Sequence, residues 1–469
     1  MTLSLFRRGA TAPGLPLSPI AELRARDSER LRRYRELLDF YEGGHFPTPR
    51  RGQTNLVVNY ARAVVDKGVS YLFGRGVHFS VLEDAPPATG QAATAAARAR
   101  RAERLLAQIA EENDLELLLL HAATNAATLG DAVLKVLWDA AGGRVRIVNV
   151  DPFCFFPTWA GDDLSALRRV AVCSRIGVPE ARERYGWRGA GRAGADTVEA
   201  LEVWTAERFQ LLVEDAVVRE GPNPYGFIPF VHVPNLQPPN SPWGRSDLVD
   251  VIPLNRELDE RMSDQADLIR YHADPPVVFR GVERHSDLAV GPGTVWDLPR
   301  DADVALLEWR GSLPALQEHI ERVLRALYEV AETPRTSFGD SGRLLSGVAL
   351  ETELQPLIQR TLRKRVGWSV ALRRCAQMAL QLTDRFGSAR EGVGGPGPSP
   401  RSARYRVRVI WPPMLPRDDD AEAQRNLALV AGGLRAHRSA MDALGVPDPE
   451  AELRRVQQDR QILNTGAAP

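Results

Sequence analysis

The residues that most often carry chemistry are scattered along this sequence. A phosphate-binding loop needs a glycine-rich turn followed by Lys and then Ser or Thr, and none of the lysines, Lys67, Lys135 and Lys364, stands in that context. A zinc-hydrolase helix needs two His four residues apart with a Glu between them, whereas the 8 histidines occur singly. We therefore interpret each His as a surface or hydrogen-bonded residue.

Three further sequence patterns resemble the patterns of reactive or metal-binding sites, but their residue spacing does not fit. A serine nucleophile elbow reads Gly-x-Ser-x-Gly, but residues 339–342 read Gly-Asp-Ser-Gly. Three adjacent carboxylates at 418–420 cannot all face one ion on a helix, so a helix N-terminus explains them better. The cysteines Cys154, Cys173 and Cys375 are far apart, which predicts reduced thiols. The sequence predicts no catalytic residue, no metal and no cofactor, and we expect that the protein is not an enzyme.

Composition limits the partners of this chain of 469 residues. Its 60 basic residues equal its 60 acidic residues, so no net charge attracts nucleic acid. Because affinity for duplex DNA comes largely from neutralised phosphates, this balance argues against a tight DNA binder but allows a protein past which DNA slides. No stretch reaches the roughly 18 uninterrupted apolar residues that a membrane helix needs, so we expect no membrane partner.

Hydrophobic periodicity predicts an α+β fold. Residues 1–20 are rich in Pro, Gly and Ser, which favours disorder. The first half of the chain then alternates between the helical period and the strand period. The predicted helices lie at 24–41, 55–71, 103–112 and 115–129, the predicted strands at 77–81, 132–138, 144–150, 199–204 and 208–213, and an Ala/Pro-rich connector lies at 85–97.

A helix-rich block begins at residues 243–247, which read Trp-Gly-Arg-Ser-Asp. One amphipathic helix follows and ends at the Asp-Pro-Pro of 274–276, because the residue before Pro is pushed out of the helical region. A second amphipathic helix is predicted after Pro314, and a kink is expected at Pro356 in a third. These two helices lie at 315–332 and 346–386, the loop between them at 333–342, further strands at 277–280, 293–298, 304–309 and 405–411, and a last helix at 418–459 with a break at 445–449.

Four segments resemble the sequence motifs of portal proteins of long-tailed bacteriophages, and they occur in the order of that family. The first is 55–79, from Asn-Leu-Val-Val-Asn-Tyr to Gly-Arg-Gly-Val-His-Phe. The second joins 243–259 to 269–281, which contains Asp-Pro-Pro-Val-Val-Phe-Arg-Gly. The third runs from Thr-Pro-Arg-Thr-Ser-Phe-Gly at 333 to Ser-Gly-Val-Ala-Leu at 346–350, and the fourth is Trp-Pro-Pro-Met-Leu-Pro at 411–416. Four segments in one order make the resemblance specific.

The resemblance implies a portal fold, with a wing, a long-helix stem, a small β-rich clip and a helical crown. In that fold the residues before 21 would be the disordered segment already predicted. The implied divisions are a wing at 21–240, a stem helix at 241–274, a clip at 275–311, a second stem helix at 312–332, a tunnel loop at 333–345, a kinked helix with a strand returning to the wing at 346–416, and a crown at 417–469.

The resemblance also implies a function. The chain would be one subunit of a dodecameric ring at the unique capsid vertex, and the ring would form the channel for DNA packaging and ejection. Its partners would be the passing double-stranded DNA, the large terminase, the head–tail adaptor, and the major capsid and scaffolding proteins. The protein would belong to the virion after assembly in the host cytoplasm.

Two sets of residues are predicted to face the channel. Within the tunnel loop we expect Arg335, Thr336, Ser337 and Arg343 to face DNA phosphates, and Phe338 to pack between neighbouring loops. Acidic residues outnumber Arg in the first stem helix, and repulsion from phosphates would keep DNA from sticking to the channel. The residues of the first stem helix that are candidates to line the channel are Asp259, Asp264 and Asp267.

Two other classes of protein stay open at this point. Another structural protein of the phage head or tail is the first, although such proteins are usually shorter or richer in β-structure. The second is a DNA-processing enzyme, such as a nuclease or a terminase subunit. The lack of a phosphate loop and of a metal-binding carboxylate set in the sequence weighs against the second class.

Overall fold

The computed structural model describes most of the chain. It covers residues 18–46, 48, 52–82, 92–189, 196–273, 277–280, 303–306, 313–339, 347–387, 405–415, 419–444, 446, 449 and 452–457. The chain divides into two compact units, Met1–Ile410 and Trp411–Pro469. Helices and antiparallel sheets both occur in the first unit, which confirms the α+β class.

Helix α1 (Pro19–Arg26) begins where the sequence analysis expected disorder. The Ser18 hydroxyl accepts a hydrogen bond from the Ala21 N–H (3.3 Å), and Pro19 occupies the first helical turn, where a missing N–H costs nothing. Ile20 is buried in the core. The prediction of disorder over 1–20 is therefore wrong for 18–20, and residues 1–17 lie outside the described part of the chain.

Four more helices precede the sheets. They are α2 (Ser28–Tyr41), α3 (Tyr60–Phe73), α4 (Ala92–Glu112) and α5 (Leu115–Leu129). The predicted bounds of α5 are confirmed, those of α3 were shifted, and α4 was predicted too short. The helix predicted at 24–41 is divided at Asp27 into α1 and α2. The connector predicted at 85–97 is wrong from residue 92 onward, where α4 begins. Alanine has the highest intrinsic helix propensity, so the Ala-rich stretch extends the helix instead of linking two elements.

Two antiparallel sheets hold most of the strands. The first sheet has the order β3-β2-β9 and consists of β2 (Asp131–Asp139), β3 (Arg144–Val150) and β9 (Phe230–Pro234). The second has the order β4-β5-β6-β7-β8 and consists of β4 (Phe155–Trp159), β5 (Leu167–Gly177), β6 (Thr197–Trp204), β7 (Arg208–Val213) and β8 (Ala216–Pro222), with α6 (Val178–Tyr185) after β5. Both predicted hairpins, β2 with β3 and β6 with β7, are confirmed, whereas β4, β5, β8, β9 and α6 were not predicted.

A third sheet joins distant parts of the sequence. Strand β1 (His78–Leu82) pairs antiparallel with β12 (Arg406–Ile410), so that His78 lies opposite Ile410. Helix α4 and the start of β12 contribute to the same core cluster, through Leu106 and Val407. The strand predicted at 405–411 is thus confirmed, and it returns to a layer made by the first part of the chain.

The remaining helices of the first unit are long. Helix α7 (Val251–Ala273) packs against α8 (Leu313–Val330), and between them in sequence β10 (Val277–Arg280) pairs antiparallel with β11 (Asp303–Leu306). We call α7 and α8 the helix pair. The strand predicted at 293–298 lies outside the described residues. Helix α9 (Gly347–Phe386) is 40 residues long and contains Pro356.

The second unit contains α10 (Asp419–Ala431) and α11 (His437–Ala443). Its first helix ends at Gly432 and Gly433, and Gly433 has φ +69°, a value that L side chains rarely adopt. The prediction of unbroken helix from 418 to 445 is therefore wrong at 432–436. Among the residues that the structure describes in either unit, no helix has the length and apolar character of a membrane span.

Candidate functional site: the helix pair and its buried junction

Residues 243–247, the junction, pass the end of α5 at a distance that only glycine allows. A Cβ atom on Gly244 would lie 2.0 Å from the carbonyl oxygen of Gly130 and 2.4 Å from the backbone nitrogen of Asn235. Gly130 ends α5 with φ +101°. The Asn235 N–H donates to the Gly130 carbonyl (2.8 Å), and the Arg245 N–H donates to the Asn235 carbonyl (2.7 Å). Three backbone segments therefore meet at this point.

The junction also caps α5. The last carbonyl groups of a helix have no partner within the helix. The Ser246 hydroxyl lies 2.5 Å from the carbonyl oxygen of Thr128 and 3.1 Å from that of Ala127. The Asp247 N–H donates to the Ala127 carbonyl as well (2.8 Å). The Trp-Gly-Arg-Ser-Asp motif thus completes the end of a helix that lies more than a hundred residues earlier in the sequence.

Asp131 fastens the junction to the first sheet. Its carboxylate is fully buried and accepts hydrogen bonds from the Tyr34 hydroxyl (2.6 Å), His232 Nε2 (2.8 Å) and the Gly244 N–H (2.9 Å). Beside it the Arg30 guanidinium lies 4.3 Å from the centre of a Trp243 ring, close enough for cation–π attraction. Helix α2, strands β2 and β9, and the junction are therefore held by one buried group of side chains.

Asp247, the last residue of the junction, is the centre of a buried charge cluster. Lys364 Nζ donates to Asp247 Oδ2, and Arg360 Nη2 lies 3.0 Å from Asp247 Oδ1, which also accepts from Asn235 Nδ2 (2.9 Å). Burial alone would raise the pKa of Asp247, but Lys364, Arg360 and the hydrogen bonds outweigh burial and lower that pKa to about 2. Burial lowers the pKa of Lys364, and the attraction of Asp247 offsets this only in part. The carboxylate is thus the member that the cluster stabilises most.

The lowered pKa of Asp247 predicts a pH dependence of stability. The carboxyl titrates near 3.8 when unperturbed and at about 2 in the folded chain, so its stabilisation is present above pH 3.8 and is lost as the pH falls toward 2. We expect the free energy of unfolding of the wild type to exceed that of Asp247→Asn by an amount that shrinks by on the order of 1 kcal/mol between about pH 5 and about pH 3. Urea unfolding of both proteins at about pH 5 and at about pH 3 measures it. A constant difference would contradict the prediction.

A row of buried polar side chains on α7 holds a distant segment of backbone. Asn255, Asp259, Ser263 and Asp267 follow one another every four residues, and all are buried; we call them the polar ladder. Each accepts a hydrogen bond from a backbone N–H of the segment 54–61. The pairs are Ala61 to Asn255 (2.9 Å), Val58 to Asp259 (2.8 Å), Leu56 to Ser263 (2.9 Å) and Thr54 to Asp267 (3.1 Å).

The two repeats match in length. Four residues of α-helix rise about 6 Å, and two residues of extended chain rise about 6.6 Å. The N–H groups of residues 54, 56 and 58 therefore meet successive side chains of the polar ladder, which we call its rungs. His45 adds a contact at the centre, because its Nδ1 lies 2.5 Å from Asp259 Oδ2 and its Nε2 lies 3.1 Å from the Phe40 carbonyl oxygen.

The polar ladder corrects two of the channel-lining predictions. Asp259 has no exposed surface, so the prediction that it lines a channel is wrong: its carboxylate accepts from Val58 and contacts His45. Asp267 is 9% exposed and accepts from both the N–H and the hydroxyl of Thr54, so it too faces the inside of the chain. Asp264 lies off the ladder, is partly exposed and pairs with Arg261 (2.7 Å).

Replacing Ser263 by Ala tests the polar ladder. The variant removes the acceptor of the partly buried hydrogen bond from the Leu56 N–H, so we expect a loss of about 1 kcal/mol in the free energy of unfolding. Ser70→Ala is the matched control. Each hydroxyl donates to the carbonyl four residues earlier, Ser263 to Asp259 (2.6 Å) and Ser70 to Asp66 (2.8 Å), but among the described residues no distant N–H donates to Ser70. We expect it to change stability by less than about 0.5 kcal/mol. Equal effects in urea unfolding would show that the ladder contributes nothing.

The segment after α8 carries the predicted DNA-facing residues. Arg335–Phe338 form a 3₁₀ turn in which Arg335 is exposed and the Ser337 hydroxyl donates to the Pro334 carbonyl (2.6 Å). The Thr336 hydroxyl oxygen is buried. The Phe338 ring packs within its own chain, 5.8 Å from the Tyr328 ring and 5.6 Å from Lys67 Nζ. Arg343 lies outside the described residues.

Sequence reasoning missed the residues that hold these elements in place. No pattern in the sequence identified Arg360 and Lys364 as buried partners of Asp247. The four-residue spacing of small polar residues on α7 could have revealed the polar ladder. Within the described part of the chain, no group of three or more His, Cys, Asp or Glu side chains could hold a metal ion.

The family model described as phage portal protein, SPP1 Gp6-like, matches residues 20–464, which is nearly the whole chain. The chain therefore belongs to the phage portal protein family, and the resemblance seen in its sequence is confirmed. The family is structural rather than enzymatic. No curated protein matches the chain significantly.

Proposed function

We propose that the chain is the repeating subunit of a dodecameric ring at the portal vertex of a phage capsid, and that the ring conducts double-stranded DNA during packaging and ejection. The match of the portal family over residues 20–464 is the observation that carries this proposal. The helix pair, with its two-stranded sheet between the helices in sequence, supports it, because two long helices side by side can repeat around an axis as the wall of a channel.

We assign the parts of the ring as the family resemblance implies. The wing comprises 21–240, and its return strand is β12, which pairs with β1. The helix pair is the stem, the clip lies at 275–311, and the crown lies at 417–469. In this assignment the clip binds the large terminase and then the head–tail adaptor. The outer surface of the ring contacts the major capsid and scaffolding proteins. The ring assembles in the host cytoplasm and ends in the virion.

Exposed apolar side chains on the helix pair support contacts between subunits. Ile269 and Tyr271, near the end of α7, are 56% and 55% exposed, and Val330, at the end of α8, is 46% exposed. A closed ring needs heterologous contacts, in which one face of a subunit meets a different face of the next. Such contacts would cover apolar surface that a single chain leaves in water.

The tunnel loop at 333–345 is proposed to touch passing DNA. Arg335 is exposed in the turn that follows α8, so its guanidinium can meet phosphates without reading bases. Of the three acidic candidates, Asp264 keeps the most exposed surface, and its pairing with Arg261 weakens its charge. We therefore propose that repulsion by the described part of α7 is weaker than the sequence suggested, and that Arg335 dominates the contact.

Electron micrographs of the purified chain test the ring. We expect closed rings with a central hole; fibres, monomers or solid discs would favour another head or tail structural protein. Nuclease or ATPase activity in the same preparation would favour a DNA-processing enzyme.

The variant Arg335→Glu tests the DNA contact within the ring. It places a negative charge at the proposed phosphate contact in every subunit, so we expect normal rings but a several-fold drop in DNA-filled particles when the variant complements a phage that lacks its own portal. Arg146→Glu is the control, because Arg146 is exposed on β3 and lies outside the proposed channel. If Arg335→Glu yields as many filled particles as the control, the tunnel-loop assignment fails.

A further inference from the structure

The end of α8 is held in a buried turn. Ala331 and Thr333 are 0% and 1% exposed, and Glu332 between them adopts φ +50°, in the left-handed region. The Thr333 N–H donates to the Tyr328 carbonyl (3.1 Å), and the Thr333 hydroxyl donates to the Ala331 carbonyl (2.9 Å). The 3₁₀ turn Arg335–Phe338 follows at once, so whatever fixes residues 331–333 also fixes the base of that turn.

One side chain of α9 reaches both this turn and the junction. Arg360 is 8% exposed; its Nη1 donates to the Ala331 carbonyl, and its Nη2 forms an ion pair with Asp247 Oδ1 (3.0 Å). Only the planar fork of a guanidinium offers two rigidly spaced donors for two separate acceptors. Arg360 therefore stands between the end of α8 and the residue that begins the approach to α7.

The charges explain why a cation is stable at this buried point. Arg360 and Lys364 carry two positive charges against the single negative charge of Asp247, which leaves one positive charge in excess. The C-terminal end of a helix carries a partial negative charge on its unpaired carbonyls. Ala331, whose carbonyl accepts from Arg360, directly follows α8, so the excess charge lies where the helix end balances it.

A second contact between α9 and the turn, the ion pair of Arg363 with Glu332, is exposed and therefore weaker than the contact of Arg360. Arg363 Nη2 contacts both carboxylate oxygens of Glu332, at 2.6 and 2.7 Å. Both side chains are more than a third exposed, so water screens the pair, and exposed pairs contribute little. The buried hydrogen bond from Arg360 to the Ala331 carbonyl must therefore contribute most to the attachment of the turn to α9.

We infer that Arg360 is a positioning residue that couples the turn Arg335–Phe338 to the junction, so that α9, α8 and the start of the helix pair move as one body. Pro356 lies one helical turn before Arg360, where a proline removes a backbone hydrogen bond. Any bending of α9 at that weak point would displace Arg360 and carry both of its acceptors with it. The position of the turn Arg335–Phe338 therefore depends on whether α9 is straight or bent at Pro356.

The variant Arg360→Lys tests the coupling by hydrogen exchange on the full-length chain. The ammonium group of lysine is a point charge without the fixed fork of a guanidinium, so it does not hold Asp247 and the Ala331 carbonyl at a fixed spacing, and we expect amides of 332–339 to exchange roughly tenfold faster or more, with the second sheet unchanged. Lys364→Met and Arg363→Lys are the controls, because each leaves the Arg360 bridge intact, and neither should accelerate exchange at 332–339. Unchanged exchange in Arg360→Lys, or equal acceleration in Lys364→Met, would overturn the inference.

A measurement on the wild type covers the case in which Arg360→Lys does not fold. Exchange of the Thr333 amide and of the amides of 357–361 is followed at rising urea below the unfolding transition. If Arg360 couples them, both sets open in one step with the same dependence on urea. Opening of Thr333 at lower urea than α9 would overturn the inference. Because only amide exchange is measured, the outcome does not depend on whether the turn faces DNA.

Discussion

Replacing Asp247 by Ala is expected to destabilise the chain by about 3–5 kcal/mol, because it removes the buried carboxylate that pairs with both Arg360 and Lys364 and leaves the two cations without it. Arg360 and Lys364 are both less than 10% exposed, so water cannot replace the carboxylate. The Asn235 side chain would lose an acceptor as well. The effect exceeds that expected for removing Lys364, because Arg360 would still pair with Asp247.

Urea unfolding followed by circular dichroism measures the loss, with Asp250→Ala as the matched control. Asp250 lies three residues later and also pairs with an arginine, Arg245 (2.6 Å), but both side chains of that pair are about half exposed. Such pairs contribute about 0–1 kcal/mol. If Asp247→Ala costs no more than Asp250→Ala, the buried cluster does not hold the junction.

Gly244→Ala is the second substitution with a large expected effect. Its new methyl group would meet backbone atoms, the carbonyl oxygen of Gly130 at 2.0 Å and the nitrogen of Asn235 at 2.4 Å, and backbone cannot rotate aside as a side chain can. Separating the segments would break the Asn235 hydrogen bond to Gly130 and the Gly244 hydrogen bond to Asp131. We expect a loss of about 4 kcal/mol or more, and little soluble protein.

Gly68→Ala is the control for this substitution. Gly68 lies within α3, and a Cβ there would have no heavy atom within 4 Å. Alanine within a helix is more stable than glycine by roughly 0.5–1 kcal/mol, so this variant should be at least as stable as the wild type. Soluble yield and thermal unfolding compare the two. If the Gly244→Ala protein unfolds at the same temperature as the wild type, the backbone of Gly244 does not approach Gly130 and Asn235 as closely as described.

The helices and hairpins could be predicted from the sequence because their information is local. The apolar stripe of α8 and the alternation of β2 and β3 lie within windows of a few turns or residues. Strands β8 and β9 could not be recognised in this way. Strand β8 is largely exposed and ends in Gly-Pro, and β9 consists of five residues whose partner, β2, lies about a hundred residues earlier.

The site was predicted less well, for a related reason. The spacing of Asp259 and Asp267 showed that they share one face of α7, but it did not show whether that face meets water or backbone. Likewise, the motif at 243–247 was recognised as a family pattern, and its physical role depends on Gly130 and Asn235, which only the fold brings to it. Partners of buried polar groups are set by tertiary structure, so a pattern along one helix cannot identify them.

The polar ladder has a consequence for synthesis of the chain. Its rungs join residues separated by 194, 201, 207 and 213 positions in sequence. A ribosome that adds about 5–20 residues per second therefore releases the segment 54–61 roughly ten to forty seconds before α7 exists to receive it. Throughout that interval these amide groups can be satisfied only by water or by another protein, so a nascent chain should remain vulnerable to proteases here until its middle third emerges.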